Sequence, residues 1–128
     1  MKKELQNKLF EKYPKIFAQK DMGPKETLMC FGISCGDGWY WLIDNLCNHL
    51  QFHIDRNKRP QVEAVQVKEK FGGLCFYTQN RDEYFAGCIR FAEHLSLSIC
   101  ESCGATTDVI QTDEDWIRTI CQKCLIKK

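Results

Sequence analysis

Apolar positions recur along this chain at two periods. In residues 37–55, Trp39, Leu42, Ile43, Leu46, Cys47, Leu50 and Ile54 fall on one stripe at helical spacing. That pattern predicts an amphipathic helix with the stripe inward. Asp37 stands where its N-cap is expected. Trp41 falls on the opposite side among Asp44, Asn45 and Asn48, as an exposed contact residue or a ring covered by another loop. Residues 2–13 predict a shorter helix carrying Leu5, Leu9, Phe10 and Tyr13 on one side. Pro14 ends it, and Ile16 and Phe17 turn inward. A third helix is predicted to end near residue 99, with Phe85, Cys88, Ile89, Ala92, Leu95 and Ser96 inward and Arg90, Glu93 and His94 outward. Asn80-Arg81-Asp82-Glu83 reads as its capping box, with Asn in place of Ser or Thr.

Between the second and third helices the period changes to two. Val65, Val67 and Phe71 alternate with Gln66, Lys68 and Lys70, as in a half-buried strand. Gly72-Gly73 reads as a two-residue hairpin turn, with residues 74–78 returning. The glycine pair could instead let backbone approach a phosphate, but neither a third glycine nor Lys-Ser/Thr follows. Residues 18–36, with Gly23-Pro24, Gly32 and Gly36, read as loop. Near the end of the chain, residues 106–112 and 116–120 read as short strands joined by the turn Asp113-Glu114-Asp115. The expected fold is α+β: three helices on a small antiparallel sheet (residues 1–97), with a zinc-ribbon-like lobe (residues 98–128) packed on it.

Cysteine changes this picture most. Of nine cysteines, four form two C-x-x-C pairs, Cys100-Glu-Ser-Cys103 and Cys121-Gln-Lys-Cys124, separated by seventeen residues (104–120). A two-residue gap lets both thiolates of a pair face one ion, and two pairs complete a tetrahedron around zinc. Gly104 supplies the positive φ that a tight knuckle needs. Too few residues follow Cys124 for a packed helix, so the second pair is expected to open none. Four thiolates leave no open coordination position, so the expected cofactor is one structural zinc ion. A redox pair is the rival reading of a lone C-x-x-C. Cys30, Cys35, Cys47, Cys75 and Cys88 form no such pair and read as small packed hydrophobes. His49 and His53, four apart on a helix, could bind a second metal with Cys35 or Cys30; ordinary packing or surface placement is the simpler reading.

Net charge is +1 over 128 residues. It demands neither a nucleic-acid nor a membrane partner. No segment is apolar enough to span a bilayer and no leader peptide is evident, so a reducing cytoplasm is expected. Lysines crowd the first segment, including Lys12 and Lys15, and Arg56, Lys58 and Arg59 form a second basic cluster. They read as solvated surface or as phosphate contacts.

The string Cys35-Gly-Asp-Gly-Trp-Tyr-Trp-Leu-Ile-Asp44, then Val65-Gln-Val-Lys-Glu-Lys-Phe-Gly-Gly-Leu-Cys-Phe-Tyr77, Ala92-Glu93 and the C-x-x-C-Gly unit resemble a group of small proteins of bacteriophages and prophages. The resemblance runs from about Tyr13-Pro14 to Cys124. Cys75 stands where such proteins often carry a larger polar residue, frequently Arg. The resemblance implies a phage accessory protein, acting in a bacterial host, of the kind that binds and inhibits host machinery such as CRISPR-type nucleases. It implies no catalytic residues.

The expected function is therefore non-enzymatic binding of a host protein or ribonucleoprotein. Trp41, Phe91 and Trp116 are the candidate aromatic contacts, and Lys12, Lys15, Arg56, Lys58 and Arg59 the candidate basic ones. A nucleic-acid-binding regulator is the alternative. An enzyme is the lesser one: Cys35 with His49 and Asp37, or Asp44 with Asp55, could be assembled on paper, but neither set forms a recognised motif.

Overall fold

The computed structural model describes residues 1–127. The chain begins with α1 (Lys3–Lys12), and Tyr13, Ile16 and Phe17 are buried just beyond it. α2 spans Tyr40–Asn57 and buries Leu42, Ile43, Leu46, Cys47, Leu50 and Ile54, the stripe expected from its spacing. Lys58, at φ +52°, closes it in the left-handed conformation that ends many helices. The Asp37 expectation is corrected. Residues Asp37–Trp39 form a 3-10 turn, and the Asp37 carboxylate accepts from the Lys2 backbone N–H at 2.7 Å instead of capping α2.

The fold is α+β, with one three-stranded sheet and one two-stranded sheet. β2 (Glu63–Lys70) and β3 (Gly73–Gln79) form the hairpin. Its turn falls one residue earlier than the glycine pair suggests. Lys70 pairs with Gly73, so the turn residues are Phe71 and Gly72, at φ +52° and +84°. A two-residue turn with both φ positive matches the right-handed twist of its strands. Phe71 therefore leaves the strand and is exposed rather than alternating into it. An irregularity between Ala64 and Gln66 turns Ala64 inward and leaves Val65 half-buried.

The loop expected over 18–36 holds a 3-10 turn, Met29–Phe31, and the two-residue β1 (Ile33–Ser34), which pairs parallel to β2 through Ile33↔Val67. Two residues are too few to show alternation, so the sequence carried no strand signal there.

α3 (Glu83–Ser96) packs on β3 and α2 and buries Phe85, Ile89, Ala92 and Ser96. Its N-cap is Asp82, whose carboxylate accepts from the Phe85 N–H at 3.0 Å, and not Asn80, which sits at φ +61°. Glu93, expected outward, accepts the Phe76 N–H at 2.8 Å, and the Ser96 hydroxyl accepts the Leu74 N–H at 2.9 Å. These two side chains blunt the free edge of β3, which would otherwise offer bare donors to another chain.

The lobe carries β4 (Val109–Gln111) and β5 (Thr119–Cys121), paired antiparallel. Each is shorter than expected. α4 (Gln122–Ile126) follows directly, so the second cysteine pair does open a short helix. No helix among the described residues is long and apolar enough to cross a membrane.

Candidate metal centre

The thiol sulfurs of Cys100, Cys103, Cys121 and Cys124 all lie within 4.8 Å of one another, and together they could hold a metal ion. Three local devices bring them there. After α3, the Cys100 N–H donates to the Ala105 carbonyl and the Gly104 N–H to the Cys100 carbonyl, both at 2.8 Å. This closes a knuckle that needs Gly104 at φ +84°. The Ala105 N–H points at the Cys103 sulfur, 3.4 Å away. The β4–β5 register then sets Cys121 at the end of β5, opposite Val109, and α4 carries Cys124. Ile120 is buried here, with Ala105, Val109 and Leu125 packed around it.

The electrostatics fit a ligand set. Burial opposes ionisation of Cys100, but backbone N–H groups of Cys121, Cys103 and Ser102 favour its thiolate and hold it at about 7. Hydrogen bonds within the cluster, chiefly to Cys103 and Cys121, push Cys124 up to about 12. Four thiolates this close cannot all ionise independently; a cation at their centre lets them. Cys35 behaves otherwise: burial pushes its thiol up to about 12, the state of a packed, inert cysteine. Cys47 is also buried, while Cys30, Cys75 and Cys88 are half-buried.

The lobe is seated on the body by residues whose role the sequence did not reveal. The Gly38 N–H donates to the Glu101 carbonyl at 2.8 Å, and the Gly36 N–H to the Glu101 carboxylate at 2.8 Å. Burial raises that carboxyl's pKa, and the Gly36 N–H works against the rise. A Cβ on Gly38 would lie 2.0 Å from the Cys100 carbonyl oxygen, and one on Gly36 2.2 Å from that of Glu101. The two glycines of Cys35-Gly36-Asp37-Gly38-Trp39 are thus the seat of the knuckle. From β5, whose Thr119 carbonyl accepts the Glu101 N–H at 3.0 Å, the Thr119 hydroxyl donates to the Gly72 carbonyl at 2.5 Å.

No second group of three or more His, Cys, Asp or Glu side chains with metal-ligand spacing exists among the described residues. His49 Nε2 lies 2.6 Å from the Tyr84 hydroxyl, and the His53 ring stacks on that of Tyr84 at 4.3 Å between centroids. Both histidines thus contact Tyr84 of α3, with His49 exposed and His53 half-buried.

The candidate catalytic sets are not assembled. Asp37 is held by Lys2, and His49 lies about three turns along α2 from it. Asp44 binds Lys12 at 2.7 Å and also accepts from the Tyr13 hydroxyl, whereas Asp55 binds Gln51 at 2.9 Å.

Among the expected contacts, Trp41 is 66%, Phe91 63% and Trp116 71% exposed. Trp41 lines a cleft of about 470 Å³ beside Cys103 and Gly104. Trp116 lies elsewhere, across a cleft of about 250 Å³ from Phe71, which is 76% exposed. Phe52 and Tyr84 are further exposed aromatics on the helices. All five expected basic contacts are exposed, three of them beside a partner within the chain. Lys12 is paired with Asp44, Arg59 with Asp82, and Arg56 lies over the Phe52 ring; Lys15 and Lys58 are exposed. The chain matches no family model, no curated protein and no solved structure.

Proposed function

We propose that the chain is a zinc-stabilised, non-enzymatic binding protein. In this reading it is an accessory protein of a phage or prophage, acting in the cytoplasm of a bacterial host. Its target is a host protein or nucleoprotein, with a CRISPR-type defence nuclease as the favoured class, and its effect is inhibition.

The geometry fits a tetrahedral four-thiolate ion, of which zinc is the common case. Ligands about 2.3 Å from a tetrahedral ion stand about 3.8 Å apart, and the Cys103 and Cys121 sulfurs are 3.7 Å apart. With four protein ligands such an ion has no position left for water or substrate, so its contribution is folding free energy.

The observation that carries the binding role is the set of large aromatic side chains, Trp41, Phe52 and Phe91, left exposed on the helices α2 and α3. Aromatic residues on well-supported elements are the usual anchors of protein interfaces. Phage origin and the defence target rest on the sequence resemblance alone. The test is a tagged pull-down from a host carrying its defence systems, with Trp41→Ala and Phe91→Ala beside the parent. One dominant partner, lost with these variants, whose activity falls when the chain is added, supports the reading. A partner retained by both variants, or bound with no inhibition, contradicts it.

The second reading, a nucleic-acid-binding regulator, draws on a different surface, the cleft between Phe71 and Trp116.

A further inference from the structure

The hairpin β2–β3 has two unlike faces. Val67, Leu74 and Phe76 enter the buried core. Gln66, Lys68 and Lys70, with Cys75 and Tyr77 opposite them in the ladder, share the other face and lie outside that core. Period-two alternation sets both lysines on this face. The carboxylate of Glu69, the residue between them, accepts the Gly72 N–H at 2.8 Å. At its end the face runs into the cleft lined by Lys68, Glu69, Lys70, Phe71, Asp115, Trp116 and Ile117. The Lys70 ammonium lies 5.7 Å from the centre of the Phe71 ring.

Phe71 is the anomaly here. A bulky residue at φ +52° is strained by about 1–2 kcal/mol, and its ring is too exposed to recover that through packing. Asn or Gly would suit the turn better. Strain kept at an exposed aromatic points to contact with something else.

We propose that this face and cleft bind a short stretch of single-stranded nucleic acid. Phe71 and Trp116 stack on bases, Tyr77 extends the platform along the sheet, and Lys68 and Lys70 hold phosphates. Rings interleaved with lysines on an open sheet are the chemistry that holds unpaired bases without reading sequence. An aliphatic-rich protein anchor would use the rings but gain little from two adjacent ammoniums. Asp115 also lines the cleft, beside Asp113 and Glu114. It opposes phosphates at that rim, as does Glu69 between the two lysines, so the bound stretch is short and the affinity modest. The inference rests on the chain being a binding protein aimed at a nucleoprotein, and it assigns the nucleic-acid contact of that target.

The experiment is fluorescence anisotropy of labelled oligo(dT) and oligo(rU) with the purified, metal-loaded chain. Two phosphate contacts on a single strand give a salt slope of about −1.4, so affinity should fall about sevenfold between about 50 and 200 mM salt. Lys70→Ala should reduce that slope by about 0.7. Phe71→Asn should weaken binding by about fivefold or more while leaving the melting temperature the same or higher, which separates contact from folding. Asp115→Asn should tighten binding. Equal binding of duplex, no binding at low salt, or binding indifferent to Phe71, Lys70 and Asp115 would overturn the proposal. Because only the purified chain and oligonucleotides are present, such a failure leaves the pull-down of a protein partner standing.

Discussion

The indole N–H of Trp39 donates to the carbonyl of Ile99 at 2.9 Å, joining the entry of α2 to the residue just before Cys100. Trp39 is fully buried, and Gly36 and Gly38 beside it leave the space that the backbone of Cys100, Glu101 and Gly104 fills. The metal knuckle and the body's core therefore share a wall, and disturbing one disturbs the other.

Gly38→Ala is expected to be costly. The three atoms nearest its Cβ, at 2.0 to 2.6 Å, belong to the backbone of Cys100, Glu101 and Gly104 and cannot swing aside. A loss of about 3 kcal/mol is expected, together with faster loss of metal to a chelator. Gly87→Ala is the control. It lies inside α3 with nothing within 4 Å of its Cβ, and helix propensity predicts a gain of about 1 kcal/mol. Chemical denaturation of the two variants should shift in opposite directions; a tolerated Gly38→Ala would remove the glycines from the seat of the knuckle.

Phe71→Asn is expected to stabilise the protein. Asn tolerates the left-handed region, and the ring it replaces is exposed. The gain should be about 1 kcal/mol, read as a higher denaturation midpoint. A lower midpoint would mean that the ring packs in solution.

Asp44 ties α1 to α2 through Lys12 and Tyr13. Burial opposes its ionisation, but hydrogen bonds from Lys12 and Tyr13 outweigh that and hold its pKa below the ordinary 3.8. The folded state thus gives up the proton more readily than the unfolded chain. The resulting stability is present above the ordinary value and is lost as pH falls through the lower, folded one. Asp44→Asn should therefore be less stable than the parent at neutral pH, with the gap closing below pH 3.8. Comparing the pair at each pH cancels the acid loss of a thiolate metal site, which both share. A gap that widens in acid would refute the assignment.

Much of this was legible in the chain because it depends on short spacings. The α2 stripe from Trp39 to Ile54 and the two C-x-x-C pairs are local patterns, and the structure realises both. The hairpin was legible, but not its register: with two glycines in a row, only the Lys70↔Gly73 pairing decides which residues turn. Asp82 and Asn80 are both good capping residues two positions apart, and the backbone at Asn80 chose between them. What stayed hidden is long-range. Nothing near Gly36 and Gly38 says that the space over them is filled by residues 100–104. Nothing near Glu93 or Ser96 says that a strand edge waits for their oxygen atoms. The pairing of Lys12 with Asp44 and of Arg59 with Asp82 likewise joins residues distant in sequence.

The most direct test of the central claim is elemental analysis of the purified chain, parent beside Cys103→Ser. One zinc per parent chain, lost in the variant along with the stability of the 98–127 region, is the predicted result. A parent carrying no zinc or two, or a Cys103→Ser variant that keeps both its zinc and its melting temperature, would contradict the four-cysteine structural site.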